Sequence, residues 1–232
     1  MLEKLLFEFM SRTNALVLSQ FPPSDLVAKG AYLPSIQSYE SAVLEWDKAR
    51  AEIDLKYWND WNKPLPNEYN SDHMTLFLYL LSRAEAQRGK HESADRISYL
   101  NKMRNGIDLW HSVSLPLRTV FVHSVGTVLG RAKYGTSLIC YQNVTVGGSK
   151  GSYPEFHGSC LLYSNVSVLG KSSIGTNVII GAGTLLVDRE IPDSSTVFGR
   201  GNDLVIKPNP KDLNREFFKT TFKESKDFSS WA

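Results

Sequence analysis

The sequence is short of cysteine, of charge of one sign and of long apolar runs, and each shortage excludes something. Two cysteines, Cys140 and Cys160, are too few for a disulfide scaffold and fit a reducing compartment. The 26 basic side chains stand against 24 acidic ones, a net charge of +2 with no basic cluster. That removes the electrostatic argument for a nucleic-acid binder, which needs Lys and Arg gathered against phosphates. Apolar stretches such as 178–187 fall far short of the roughly 20 residues that cross a bilayer. The opening MLEKLLFEFM carries Glu within its apolar run and has no small-residue cleavage site, so it reads as a helix and not a signal peptide. The expectation is a cytoplasmic protein with no membrane span. With 232 residues, 42% hydrophobic and 22% charged, the chain is long enough for one large domain or two small ones.

Two grammars divide the sequence. Residues 1–105 read as an α-helical domain. Val43, Trp46, Ile53, Tyr57, Trp58 and Trp61 recur at helical intervals, and Pro64 and Pro66 stop that run. A second run passes through Met74, Leu76, Phe77, Leu80 and Leu81 towards Gly89. A third holds Ile97, Leu100 and Met103 before Asn105-Gly106. These stripes read as core packing.

Beyond residue 106 the helical spacing gives way to a period of six. Blocks from Phe156 are FHGSCL, LYSNVS, VLGKSS, IGTNVI, IGAGTL and LVDREI. Their first positions, Phe156, Leu162, Val168, Ile174, Ile180 and Leu186, are all apolar. At a chance of roughly 0.3 per site, six in a row in some frame arises about once in two hundred sequences. Fifth positions are small or β-branched in Cys160, Val166, Ser172, Val178 and Thr184. Each hexad is one short strand plus a turn, and three make a triangular coil of a parallel β-helix, with first positions pointing inward and stacking 18 residues apart. The fold class is α+β: helices over 1–105, β-helix over 106–207, and a tail over 208–232. The period breaks once, because ten residues separate Val146 from Phe156 and GGSKGSYPE must leave the coil as an extruded loop. Loops on a rigid scaffold are where sites are built.

Of five histidines (His73, His91, His111, His123 and His157), none forms the close pair on one coil that a three-His zinc site would need, so no metal is expected. GGSKGS does not fit GxxxxGK[ST], which excludes a P-loop. Cys140 and Cys160 fall on inward hexad positions and read as inert core thiols.

Residues 106–210 resemble the catalytic domain of serine acetyltransferases, members of the left-handed β-helix (hexapeptide-repeat) acyltransferases. The resemblance rests on GIDLWHSVSLPLRTVFVHSVGTVLG, in which Asp108 precedes His123 by 15 residues and Gly126 completes HxxG. It continues through Gln142 to Gly148 in YQNVTVGG and through the closing IPDSSTVFGRGNDLVIK. Over the first hundred residues it extends only to both being helical. It implies transfer of an acetyl group from acetyl-CoA to a hydroxyl. His123 would be the general base, with a pKa range suited to that work near neutral pH. Asp108 would orient it. A loop amide at Gly148 would approach the thioester, Ser164 and Ala182 would line the pantetheine groove, and Lys207 and Arg200 would lie near the nucleotide end. The resemblance also implies homotrimers, with each site between neighbouring coils; pairing of trimers through the helical part stays open.

The departures concern the acceptor. Where the family has an Asp before the catalytic His and a second His closing the loop, this sequence has Val122 and Tyr153. The family's other serine-binding Asp has no clear counterpart in the helical part, where Asp72 is a guess. A buried ammonium needs carboxylates, so the loss of one favours a sugar or polysaccharide precursor, with Tyr153 and His157 facing it. The alternatives are a serine O-acetyltransferase in cysteine biosynthesis, a sugar N-acetyltransferase, a non-catalytic trimeric scaffold, and a metal-dependent hydratase on the same solenoid.

Overall fold

Polar side chains cap the starts of some helices, and a glycine ends one of them. The computed structural model describes residues 2–20, 33–54 and 63–219. Helix α1 spans Leu2–Gln20 and α2 spans Ile36–Glu52, with the Ser35 side chain accepting from the Ser38 amide as its cap. In α3 (Ser71–Gln87) the Asn70 side-chain oxygen Oδ1 accepts from the Asp72 and His73 amides. Helix α4 (His91–Asn105) ends on Gly106, whose φ of 69° is the left-handed region that glycine enters without strain. The second helix stops earlier than the aromatic spacing predicts. Ile53 is extended, and Tyr57, Trp58 and Trp61 lie outside the described residues.

Helix α3 is buried nearly all round between His73 and Leu81, so it is the centre of the helical part and not one of its faces. Phe9 of α1 meets Phe77 edge-on at 5.0 Å, and Trp46 of α2 meets His73 at 5.2 Å.

Fourteen short strands follow: β1 (Asp108–Leu109), β2 (Arg118–Phe121), β3 (Val128–Leu129), β4 (Ser137–Cys140), β5 (Thr145–Gly147), β6 (Glu155–Phe156), β7 (Ser159–Leu162), β8 (Ser167–Leu169), β9 (Ser173–Ile174), β10 (Val178–Ile180), β11 (Leu185–Val187), β12 (Glu190–Ile191), β13 (Ser195–Phe198) and β14 (Val205–Pro208). They stack as three faces of a parallel β-solenoid. The first face has the order β14-β13-β10-β7-β4-β2, the second β1-β3-β5-β8-β11, and the third β12-β9-β6. All pairings are parallel except β13 with β14.

The six-residue reading holds in the interior. The six first positions and Cys160, Val166, Ser172, Val178 and Thr184 are all buried. Phe156 pairs with Ile174, Leu162 with Ile180 and Val168 with Leu186, each 18 residues on. Elsewhere the repeat is not 18. Cys140 pairs with Leu162 and Val146 with Val168 at a spacing of 22, because the loop adds four residues, and Ile180 pairs with Val197 at 17. The extruded segment is a tight turn. Ser149 and Ser152 exchange amide–carbonyl bonds at 2.9 Å around Lys150 and Gly151, both at positive φ.

After β13 the chain reverses. Helix α5 (Leu213–Phe217) lays Leu213 into the core, the Ser137 hydroxyl meets Asn214 Oδ1 at 2.9 Å, and Phe218 pairs with Ile53. Arg118 at the start of β2 reaches Glu52 of α2 at 2.9 Å with its guanidinium over the Phe218 ring. The end of the described chain thus ties the helical part to the first coil. Among the described residues no helix is long and apolar enough to cross a membrane.

Candidate active site

Register between strands decides which side chains share a corner. Phe121, Cys140, Leu162 and Ile180 lie in one row of the first face. Two residues beyond each, where the chain turns onto the second face, stand His123, Gln142, Ser164 and Ala182. His123 is exposed and holds a φ of 55°, in the sparsely populated left-handed region. Ser164 is half-buried and Ala182 exposed, so two successive coils above Gln142 present only small groups at this corner. The Gln142 side-chain oxygen is buried and has no hydrogen-bond partner among the described residues. Arg200 follows on the next coil, where its Nε donates to the Gly183 carbonyl at 3.1 Å. Four of the residues singled out in the sequence, His123, Ser164, Ala182 and Arg200, therefore come to one corner.

The helical part holds the His123 turn. Asp72, on the first turn of α3, accepts the His123 amide on Oδ2 and the Ser124 amide on Oδ1, both at 3.0 Å. The Ser124 and Thr75 hydroxyls bond to each other at 2.9 Å with both residues fully buried. Asn101 of α4 donates to the Thr75 carbonyl at 3.0 Å and accepts from Asn105 at 2.8 Å. A polar path thus runs from α4 through α3 to the turn, with its buried groups satisfied.

Asp108 is bound to the helical part. Its Oδ2 accepts from Lys102 Nζ of α4 at 2.6 Å, and no Asp108–His123 hydrogen bond is formed among the described residues. That hydrogen bond raises the Lys102 ammonium above its usual range. The Asp108 amide nonetheless donates to the Thr127 carbonyl at 2.8 Å, which keeps its backbone beside the strand that follows His123. Val122, half-buried, packs against the hydrophobic core and brings no charge to the corner.

Gly148 and Tyr153 lie elsewhere, in the turn between the second and third faces, and His157 directly follows β6 of the third face. A Cβ on Gly148 would come within 2.6 Å of the Tyr153 ring, so only glycine lets the loop close there. Tyr153 and His157 line a cavity of about 410 Å³ over the third face, together with Glu155, Lys171, Arg189 and Glu190. His157 Nε2 hydrogen-bonds the Ser173 hydroxyl at 2.9 Å, and Lys133 holds Glu155 at 2.7 Å, which keeps that carboxyl below its usual range. Lys207 stands apart from both places, exposed on β14 opposite Thr196.

Cys140 and Cys160 are fully inside the coil, and burial pushes both thiols far up, away from reactivity. Among the described residues no three His, Cys, Asp or Glu side chains gather where they could hold a metal ion. Sequence reasoning did not find the Asp72 and Thr75 contacts, the Lys102 pair or the buried Gln142 oxygen. The first two couple residues about 50 positions apart, and no local pattern marks them. Gln142 belongs to the YQNVTVGG stretch, but only its burial singles it out.

The geometry can be set beside known proteins. No protein-family model matches the chain. The serine acetyltransferase of Bacillus pumilus is 27% identical over 146 residues, covering 61% of this chain and 66% of that protein. The serine acetyltransferase of Neisseria gonorrhoeae superposes with a TM-score of 0.63 at 22% identity, covering 77% of this chain and 72% of the other. A serine acetyltransferase in complex with CoA superposes with a TM-score of 0.58 at 18% identity, covering 77% and 73%. The matched stretch leaves about a third of the Bacillus protein's length uncovered. The chain is thus similar in sequence to serine acetyltransferases, and it shares its β-solenoid fold with them.

Proposed function

We propose that the protein is an acetyl-CoA-dependent O-acetyltransferase whose general base is His123. The observation that carries this is the corner row, in which an exposed imidazole shares one edge of the solenoid with the small residues Ser164 and Ala182 and with Arg200. An extended pantetheine chain needs a path that bulky side chains do not fill, and a cation favours the phosphate end. Arg200 and Lys207 are the candidates for the latter. The reaction needs little more. His123 removes the acceptor's hydroxyl proton as its oxygen attacks the thioester carbon. The carbon–sulfur bond then breaks, and the imidazolium returns the proton to the departing thiolate. Asp108 would support the charged imidazole once its carboxylate leaves Lys102.

The corner row and the cavity beside Tyr153 and His157 occupy different corners of one chain. A homotrimer in which the corner of one copy faces the loop turn of the next would complete the site, as closed cyclic packing allows. In this reading Gly148 approaches the thioester from the neighbouring copy, and Tyr153 and His157 face the acceptor.

For the acceptor we favour a sugar hydroxyl. Val122 brings no carboxylate where the resemblance implies one, and the Asp72 carboxylate is tied to the His123 and Ser124 amides, so an ammonium group has less anionic support beside His123. A second reading, L-serine, is favoured by the shared name of the relatives. Thiol release from acetyl-CoA by the purified protein, with L-serine, D-glucose, D-galactose and N-acetylglucosamine in separate reactions, decides between them. Turnover with a sugar and none with serine is expected. Fast turnover with serine reverses the acceptor assignment, and failure to bind acetyl-CoA at all returns the chain to a non-catalytic scaffold.

A further inference from the structure

We infer that Asp72, in the helical part, is a positioning residue for His123: its carboxylate fixes the turn that presents the imidazole, and it is not a ligand for the acceptor. The inference rests on His123 being the general base.

A histidine at φ 55° occupies a sparsely populated conformation, and such a conformation persists only where its surroundings over-determine it. Here the surroundings are one carboxylate. Asp72 Oδ2 takes the His123 amide and Oδ1 the next amide, two charge-assisted bonds of 3.0 Å that together set the plane of the turn. Asp72 is itself held. Asn70 caps the helix by accepting the Asp72 and His73 amides, which leaves the carboxylate unused by capping and stands it on the first turn of the most buried helix. A second tether lies one helical turn on, where the buried Thr75 and Ser124 hydroxyls meet, and Asn101 fixes the Thr75 carbonyl from behind. Nothing in the solenoid's own repeat supplies these contacts. At the equivalent turns the positive φ falls one residue later, on Asn143, Asn165 and Gly183, residue types that accept it readily. At His123 the helical part adds a carboxylate that holds the turn.

Backbone amide exchange and steady-state kinetics on the full chain test this. The variants are Asp72→Asn, which keeps the shape, and Asp72→Ala and Thr75→Val, with circular dichroism to confirm folding. In Asp72→Ala the His123 and Ser124 amides should exchange at least about tenfold faster while those of 76–81 stay protected. With acetyl-CoA and the acceptors named above, kcat should fall about 10- to 100-fold, as expected for a misplaced base, with both KM values within about twofold. Asp72→Asn should fall between wild type and Asp72→Ala. If Asp72→Ala does not fold, Asp72→Asn and Thr75→Val carry the test with the same expected signs. A rise in acceptor KM at unchanged kcat would overturn the inference and make Asp72 an acceptor ligand. Unchanged exchange at His123 and Ser124 would overturn it as well. Full turnover by a His123→Ala variant would instead strike the base assignment, an outcome distinguishable because the exchange measurement needs no acceptor.

Discussion

In the solenoid, Leu162 packs beside Ile180 because both open a hexad. In the helical part, Trp46 packs against His73 for no reason that local spacing states. Repetition makes the first kind of contact redundant, since each coil repeats the instruction of the one below. The second kind is specified once, by the shapes of helices brought together over long separations. The difference teaches where function resides. The periodic half supplies a row of corners, and the aperiodic half makes one of those corners unlike the rest by gripping the His123 turn through Asp72 and Thr75.

The contrast can be sharpened by deleting one core side chain from each half. Phe77→Ala should cost about 3–5 kcal/mol and Ile174→Ala about 2–5 kcal/mol, measured by urea unfolding. The two should part in kinetics. Loosening α3 should lower kcat of the folded enzyme because α3 carries Asp72, whereas Ile174, inside the third face, should leave it near wild type. Equal kinetic losses would remove the distinction between the halves. A smaller effect is expected from Ala182→Trp. An indole at the exposed corner should raise KM for acetyl-CoA at least about tenfold, roughly 1.4 kcal/mol, with thermal stability unchanged. An unaltered KM would take the pantetheine path off that edge.

The smallest effect is acid sensitivity in the helical part. Glu85 of α3 is fully buried, and its Oε1 accepts the Ser35 amide and hydroxyl at 3.0 Å at the start of α2. Burial opposes its ionisation, yet the hydrogen bonds around it prevail and hold the carboxyl below its usual range. A carboxyl depressed in the folded state contributes stability above its unfolded pKa and loses it as pH falls through the folded value. The melting temperature should therefore drop below about pH 4 in wild type, and Glu85→Gln should flatten that drop. A wild-type curve that Glu85→Gln leaves unaltered would show that the acid loss comes from other carboxylates.

How much was legible in the sequence follows the same division. The inward row from Phe156 to Leu186 could be read directly, because a period of six has one structural solution. So could the loop, since ten residues cannot fit where six belong. The resemblance named His123, Ser164, Ala182 and Arg200, and register brings them to one corner. It paired Asp108 with His123, and the structure pairs Asp108 with Lys102, because a lysine six residues back on α4 reaches the carboxylate. It offered Asp72 only as a guess, since the contact with His123 spans 51 positions and leaves no periodic trace. The end of α2 was misjudged for the same kind of reason. Ile53 continues the helical spacing, but it pairs with Phe218, a partner far along the chain.

The central claim is that chemistry happens at the His123 corner. Its most direct test is the rate of thiol release from acetyl-CoA by His123→Ala beside wild type, at saturating acceptor and with folding checked. The account predicts a loss of about 10²- to 10⁴-fold in kcat with acetyl-CoA binding retained. Turnover equal to wild type would contradict it.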